Sequence, residues 1–425
     1  MQTRDPTGET RPDGTPPAEA PRRPGPRPLA LHLATATAVL MSSLAALPSA
    51  RLGWLPWSPR LARRAADLAA DLAAAEPEAL YAALADETRQ RLTGMLAGIE
   101  AYRAHPSRRN LPDPPVVWRE GTTRLLDYGA DGPGEDGPPV LFVPSLVNPA
   151  YVLDLSARRS LLRWLVGVGI RPLLVDWGAP GEAERGFDLT AYVAGRLEAA
   201  LDAARELTGR RLGLVGYCMG GNLALALALR RGPDLTGLAL LATPWDFHAE
   251  GGAQARLMGM AAAAFDPVLE ALGELPVDIL QAFFLALDPA LGIRKFNAFA
   301  TLDPDGDAAA DFVALEDWLN DGVPLTASVA RECLAEWYGG NAPARGRWRV
   351  AGRPVDPAAL AVPAFAAVPA ADRIVPPASA RALVAVLPRC EVLTPPSGHI
   401  GMVVGSRAEA GLWRPLAEWL KRVAA

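Results

Sequence analysis

Leu212-Gly-Leu-Val-Gly216-Tyr217-Cys218-Met219-Gly220-Gly221-Asn222-Leu223 is the stretch that decides the fold. It begins as a buried apolar run, passes through Gly-x-Cys-x-Gly and continues as an apolar-periodic segment at 220–230. A nucleophile held on a tight turn between a strand and a helix requires this order, and side chains at Gly216 and Gly220 would collide with the neighbouring elements. A buried structural cysteine is the alternative, because free cysteine is often buried. The strand-turn-helix context favours Cys218 as a nucleophile.

Short apolar runs alternate with amphipathic segments on both sides of this turn. The predicted strands are 122–128, 140–143, 172–175, 212–215, 237–241, 364–368 and 391–393. The predicted helices are 156–168, 189–207, 220–230, 378–387 and a last one from about 412. Strands and helices that alternate at this spacing form parallel crossover units. The pattern predicts an α/β-hydrolase fold with a doubly wound, mostly parallel sheet.

Composition divides the chain into segments. Residues 1–28 are rich in Pro, Gly, Thr and charge and are expected to be disordered. Residues 29–115 are predicted to form a helical N-terminal arm, with helices at 61–75 and 77–104. The catalytic core is assigned to 116–245 and 351–425, and the aromatic segment 246–350 between them is expected to be an inserted cap.

An apolar stretch at 29–47 follows several arginines and faintly resembles a signal peptide. Polar residues interrupt it, and a segment that also carries acidic residues precedes it. Apolar residues at a spacing of three to four give it one apolar face: Leu29, Leu33, Ala36, Leu40 and Leu44. An amphipathic helix is therefore favoured over a cleaved signal, and no transmembrane span is expected.

Charge and cysteine content exclude several classes of protein. The 425 residues carry a formal net charge of −5, so no basic surface for nucleic acid is indicated. The three widely spaced cysteines form neither a disulfide framework nor a zinc site. A reducing compartment, and hence a cytoplasmic location, is expected, with no metal.

A cysteine nucleophile needs a base, and the chain has four histidines. In this fold the base follows the last strand, which is the position of His399 in Ser397-Gly398-His399. The acid should follow the penultimate strand, and Asp372 is the carboxylate between Asp356 and Glu391. Cys218, Asp372 and His399 are therefore predicted to form a catalytic triad.

The backbone amide of Met219, at the start of the helix after Cys218, is predicted to hold the oxyanion. A second amide is expected from the loop at 144–148, where the sequence does not separate Leu146 from Val147. The candidates for the substrate pocket are Asn148, Tyr151, Trp245 and His248.

Four segments together resemble the polyhydroxyalkanoate synthases: 216–221, 147–155, 372–376 and 397–400. The resemblance covers about 115 to 425 and implies the same triad. It also implies (R)-3-hydroxyacyl-CoA as substrate, with coenzyme A as part of that substrate and no separate cofactor. A polyester granule surface and a homodimer are the expected partners. Pro149 stands where the family usually has a basic residue.

Three other functions remain open. A cysteine-type hydrolase, either a polyester depolymerase or an acyl-CoA thioesterase, would use the same triad. A non-catalytic granule-binding protein would not need Cys218. An acyltransferase could use another alcohol or amine as acceptor. A synthase that passes the acyl group through Cys218 is the favoured hypothesis, in which an aromatic cap keeps water away.

Overall fold

The computed structural model describes residues 22–130 and 132–425. Within this part, one sheet has eight strands in the order β1-β2-β6-β3-β7-β8-β13-β14. The bounds of these strands are β1 Val116–Glu120, β2 Thr123–Asp127, β3 Pro139–Val143, β6 Arg171–Asp176, β7 Leu212–Tyr217, β8 Leu235–Leu241, β13 Ala364–Ala367 and β14 Cys390–Leu393. Three short pairs complete the list: β4 Asp154–Ser156 with β5 Arg159–Ser160, β9 Glu274–Leu275 with β10 Leu325–Thr326, and β11 Arg349–Val350 with β12 Arg353–Pro354.

The large sheet is parallel from β6 to β14, and β1 and β2 add an antiparallel edge. The predicted α/β-hydrolase fold with a mostly parallel sheet is confirmed, and each strand predicted from the sequence is present. Strand β1 was not predicted, because its residues are largely exposed and its apolar run, at 116–118, is only three residues long.

Alternate residues of the central strands enter two different apolar clusters. Leu141 and Val143 of β3 belong to one cluster, whereas Val140 and Phe142 belong to the other. Successive side chains of a strand point to opposite faces, so both faces of the sheet are buried. This arrangement explains why these strands are continuous apolar runs rather than alternating ones.

The helices have the following bounds: α1 Leu29–Arg51, α2 Ala62–Ala74, α3 Pro77–Ala104, α4 Leu161–Gly167, α5 Glu198–Thr208, α6 Met219–Arg231, α7 Ala253–Leu272, α8 Val277–Leu287, α9 Leu291–Phe299, α10 Asp307–Asn320, α11 Ala327–Arg331, α12 Pro377–Val384, α13 Gly401–Val404 and α14 Arg414–Ala424. π-Helical turns at Ala191–Leu197, Glu332–Gly339 and Glu409–Trp413 adjoin α5, α11 and α14.

The helix predicted at 156–168 is wrong in its first turn, because α4 begins at Leu161. The preceding residues form the β4–β5 hairpin around Asp154, whose side chain is fully buried. Its carboxylate pairs with Arg109 at 2.9 Å and with Arg163 at 2.8 Å. A buried charge must be paired, and these pairs fix the hairpin where the apolar pattern alone indicates a helix.

The chain divides into two compact units. One contains the N-terminal helices up to Arg108 together with Pro289–Val313, and the other contains Arg109–Asp288 and Ala314–Ala425. The apolar face predicted for 29–47 is turned inward within the first unit, where Ala36 and Leu40 are buried. The boundaries predicted for the arm and the cap stay predictions.

In the described ranges, α1 is the helix that is long and apolar enough to cross a membrane. This is weak evidence, since core helices and N-terminal signal sequences meet the same criteria. The disorder predicted for 1–28 falls mostly on residues 1–21, which lie outside the described residues.

Candidate active site

Cys218 occupies a strained turn between β7 and α6. Its backbone has φ of 55° and ψ of −128°, a region that residues other than glycine rarely adopt. Two hydrogen bonds hold this conformation: the Cys218 amide donates to the Leu241 carbonyl at 2.8 Å, and the Gly221 amide donates to the Cys218 carbonyl at 2.9 Å. Strain of this kind costs on the order of 1–3 kcal/mol and persists where the surroundings fix it, as at many active sites.

The glycines around Cys218 are required by close packing. A Cβ on Gly216 would lie 2.4 Å from the Gly221 Cα, and one on Gly220 would lie 2.1 Å from the Val143 carbonyl oxygen. A Cβ on Gly221 would lie 1.8 Å from the Thr243 hydroxyl. The turn can therefore sit between β3 and β8 because these positions carry no side chain.

His399 and Asp372 meet beside Cys218. Asp372 follows β13, His399 follows β14, and the His399 Nδ1 to Asp372 Oδ2 distance is 2.7 Å. The other Asp372 oxygen accepts the amides of Ile374 and Val375, each at 2.9 Å. His399 also hydrogen-bonds Cys218. The three residues chosen from chain order are thus brought together, with the carboxylate placed to hold the imidazole tautomer.

Burial and charge act in opposite directions on His399. Burial alone would lower the pKa of its imidazole. The charge of Cys218 and the hydrogen bonds to Asp372 and Cys218 outweigh burial and raise the pKa of His399 to about 10. The imidazole is therefore protonated near neutral pH.

The remaining histidines have other partners. His248 Nε2 bonds the carbonyl of Tyr338 at 2.8 Å, and His105 Nε2 bonds the carbonyl of Pro304 at 2.8 Å. Burial and the charge of Lys295 lower the pKa of His32 to about 4. His248, a pocket candidate, thus joins the loop after β8 to the π-helical turn at 332–339.

The loop at 144–148 has well-defined backbone partners. The Val147 amide, one predicted oxyanion donor, donates to the Ser145 hydroxyl at 3.2 Å. The Val147 carbonyl accepts the Val323 amide at 3.0 Å. Met219, the other predicted donor, is the first residue of α6. Its amide therefore lies in the first helical turn, where N–H groups are free of partners within the helix.

Two tryptophans that chain order did not identify anchor this loop. Trp177 Nε1 donates to the Pro144 carbonyl at 3.1 Å, and Trp318 Nε1 donates to the Pro149 carbonyl at 2.9 Å. An indole N–H can only donate a hydrogen bond, so each tryptophan holds one backbone carbonyl of the loop in a fixed orientation.

The pocket candidates lie in different surroundings. The Tyr151 hydroxyl donates to Asp321 at 3.2 Å, and burial together with the Asp321 charge raises the pKa of Tyr151. Asn148 Nδ2 is buried without a partner among the described residues. Trp245 is buried and packs against Trp348 with ring centroids 6.4 Å apart. Their role in substrate binding stays a prediction.

We define Phe247, Trp337, Tyr338 and Trp348 as the aromatic wall. The Phe247 ring lies 5.0 Å from Tyr338 and 5.6 Å from Trp337, and Trp337 lies 5.0 Å from Trp348. Burial raises the pKa of Tyr338, and the charge of Cys218 raises it further. The phenol therefore stays protonated at neutral pH and lies within electrostatic range of Cys218.

No group of three or more His, Cys, Asp or Glu side chains that could hold a metal ion occurs in residues 22–130 and 132–425.

The fold agrees with a comparison against known protein families. A family model described as alpha/beta hydrolase fold matches residues 138–406. The solved monoacylglycerol lipase of Paleococcus ferrophilus is 18% identical and covers 71% of this chain and 99% of its own, with a TM-score of 0.47. The family match places the chain in the α/β-hydrolase fold class.

Curated relatives narrow the family. The poly(3-hydroxyalkanoate) polymerase subunit PhaC of Synechocystis sp. is 31% identical over 294 residues, which cover 66% of this chain and 77% of that protein. The protein of the same name from Haloferax mediterranei is 28% identical over 308 residues, which cover 72% of this chain and 63% of that protein. The chain thus spans less than two thirds of the Haloferax relative. It belongs to the poly(3-hydroxyalkanoate) polymerase family.

Replacing Gly220 tests the packing of the turn. Gly220→Ala places a carbon against the Val143 carbonyl, so we expect the free energy of unfolding to fall by about 1–3 kcal/mol or the protein not to fold. Urea denaturation measures this change. Gly195→Ala is the matched control, because nothing lies within 4 Å of its Cβ and alanine favours a helix. Equal effects of the two variants would contradict the packing argument.

Alkylation tests which cysteine is reactive. Burial raises the pKa of Cys333, and burial with the Glu391 charge raises the pKa of Cys390 to about 11, so both thiols are protonated near neutral pH. Iodoacetamide should therefore add one group, at Cys218, as measured by mass spectrometry. Cys390 should react as the pH rises towards 11, and Cys218→Ser should remove the neutral-pH label. Faster labelling of Cys390 at neutral pH would contradict this expectation.

Proposed function

We propose that the chain polymerises (R)-3-hydroxyacyl groups from coenzyme A thioesters into polyester, with an acyl-cysteine intermediate on Cys218. The observation that carries the proposal is the strained Cys218 turn with His399 and Asp372 in hydrogen-bonding contact beside it. The names of the relatives supply the substrate class. The triad roles are part of the proposal.

In the first step the Cys218 thiolate attacks the carbonyl carbon of the acyl-CoA. A carbon–sulfur bond to Cys218 forms, and the bond to coenzyme A breaks. His399 has taken the proton of Cys218 and transfers it to the departing coenzyme A thiolate. Asp372 keeps the imidazole oriented and stabilises its charged form.

In the second step the 3-hydroxyl group of an acceptor chain or acyl unit attacks the acyl-cysteine. His399 takes the hydroxyl proton, an oxygen ester forms and the Cys218 sulfur leaves as thiolate. Atoms balance without any further reactant, because each cycle adds one acyl unit and releases one coenzyme A. A thioester on Cys218 is about as reactive as the CoA thioester from which it came.

Two backbone amides are proposed to stabilise the oxyanion in both steps. The Met219 amide lies at the positive end of α6, which favours negative charge. The second donor is Leu146 or Val147 of the anchored loop. Because the Val147 amide donates to Ser145 Oγ, the Ser145 side chain must turn away to release this amide if Val147 is the oxyanion donor. Ser145→Ala separates the two cases by leaving the Val147 amide unpaired.

The aromatic wall is proposed to hinder hydrolysis. An acyl-cysteine attacked by water would release a free hydroxy acid, which is the outcome of a thioesterase or depolymerase. Phe247 and Trp337 pack in the buried core, and the Tyr338 phenol keeps its proton at neutral pH. No side chain of the wall is a carboxylate or an imidazole that could act as a base towards water, which favours transfer to an alcohol over hydrolysis.

Assembly and location follow the same hypothesis. We propose a homodimer in the cytoplasm that contacts the surface of its polyester product. Sedimentation of the full chain at rising concentration, with and without substrate, decides the oligomeric part of this proposal.

Substrate turnover tests the function directly. Purified full-length protein supplied with (R)-3-hydroxybutyryl-CoA should release free thiol and form an insoluble polymer, measured with a thiol reagent and by chromatography after methanolysis. Cys218→Ala should abolish both, whereas Cys390→Ser should retain both. Thiol release with free 3-hydroxybutyrate and no polymer would instead identify a hydrolase. Polymer formation by Cys218→Ala would eliminate the acyl-cysteine.

Changing the acid tests the triad. Asp372→Asn keeps the side-chain size but removes the acceptor that fixes the His399 tautomer, so kcat should fall by about 10³–10⁴-fold. The KM for acyl-CoA should change little, because Asp372 is buried and does not reach solvent. Steady-state kinetics measure both constants. Asp356→Asn is the control, because Asp356 caps the short turn at Pro357–Ala359 and should leave kcat nearly unchanged.

A further inference from the structure

The connection between α1 and α2 exposes large apolar side chains. We define the corner as residues 49–68, which include the end of α1, the turn at Pro59–Leu61 and the first half of α2. Trp54 is 73% exposed, Leu52 59% and Trp57 44%. Large apolar groups clustered on a surface mark an interaction site more often than scattered ones do.

The corner also carries a positive charge. Its sequence contains four arginines, at 51, 60, 63 and 64, and one carboxylate, Asp67, although the whole chain carries −5. Arg63 and Arg64 are exposed in the first turn of α2, and the next carboxylate is Asp67. The corner therefore combines exposed tryptophan with positive charge in a protein that is otherwise acidic.

A shallow groove adjoins Trp57. It has a volume of about 290 Å³ and is lined by alanines of α2 together with Gly53, Trp57, Leu68 and Leu72. No charged residue lines this groove, so it suits hydrocarbon rather than a polar ligand. Trp57 lines this apolar groove, and Arg63 and Arg64 are exposed on the helix that forms one of its sides. Tryptophan and arginine next to apolar surface are typical of proteins that contact the boundary between lipid headgroups and acyl chains.

We propose that the corner docks on the surface of a bilayer containing anionic phospholipids. Arg63 and Arg64 bind the phosphate groups, and Trp54 and Trp57 enter the headgroup layer. The attachment is peripheral, because Ala36, Leu40 and Leu47 of α1 are buried and would leave their packing if α1 crossed the bilayer. The proposal does not depend on the catalytic activity.

Vesicle sedimentation of the full-length protein tests the proposal. Phosphatidylcholine vesicles with 30% phosphatidylglycerol should bind the protein in 50 mM salt, and pure phosphatidylcholine vesicles should bind it at least about tenfold less. Binding should fall by at least about tenfold in 500 mM salt, because salt screens exposed charges. An alkaline carbonate wash should release the bound protein, as expected for a peripheral contact.

Paired variants locate the contact. Trp54→Ala with Trp57→Ala, and separately Arg63→Gln with Arg64→Gln, should each weaken binding by about tenfold. The matched controls are Leu257→Ala with Met260→Ala, which are exposed apolar residues elsewhere, and Arg349→Gln with Arg353→Gln. Thermal unfolding confirms that each variant is folded.

Three results would overturn the proposal: retention of the protein on the vesicles after the carbonate wash, equal binding to neutral vesicles, or loss of binding in the control variants instead of the corner variants. Failure to bind anionic vesicles would also overturn it, in favour of an acidic protein surface as the occupant.

Discussion

The left-handed turn at Cys218 is the constraint on which the site depends. It stands between β7 and α6 because the Leu241 carbonyl holds its amide and the Gly221 amide holds its carbonyl. The central parallel strands place the Val143 carbonyl and Thr243 so close to the turn that glycine is required at 220 and 221. The strain is of the order of 1–3 kcal/mol, a cost that a sheet buried on both faces can offset. The backbone geometry of Cys218 therefore depends on the packing of the neighbouring strands as well as on its own turn.

The buried charges around Cys218 depend on one another in the same way. An imidazole in this position would lose its proton if burial acted alone, and a carboxylate would be costly to bury. Asp372 is buried at low cost because it accepts the amides of Ile374 and Val375 as well as His399. The charges of Asp372 and Cys218 in turn keep His399 protonated. Removing the side chain of Cys218, Asp372 or His399 therefore leaves the other two buried without the hydrogen bond or charge that offsets their burial.

The sequence predicted the parts that follow from chain order and local pattern. Parallel strands end at one edge of the sheet, so an elbow cysteine, an acid after β13 and a histidine after β14 had to converge. The β4–β5 hairpin could not be predicted, because it depends on the distant Arg109 reaching Asp154. The roles of Trp177 and Trp318 could not be predicted either. An indole N–H can bond any carbonyl, and only the fold decides which carbonyl lies near it. Residues 289–313 group with the N-terminal helices for a similar reason: the Gly98 Cβ position lies 2.0 Å from the Phe296 carbonyl, a close approach with no local signal.

In the proposed mechanism, the choice between polymer and free acid depends on what reaches the acyl-cysteine, because the same triad would serve both reactions. A hydrolase must hold a water molecule against His399, which requires polar groups that orient it. The aromatic wall offers apolar surface and a protonated Tyr338 phenol, and His248 is engaged with the Tyr338 carbonyl. A hydroxyl carried on an acyl chain can use apolar contacts to reach the thioester, whereas water gains nothing from them. In the proposed mechanism, the surroundings that keep Cys218 partly buried therefore favour an acceptor with a hydrocarbon body.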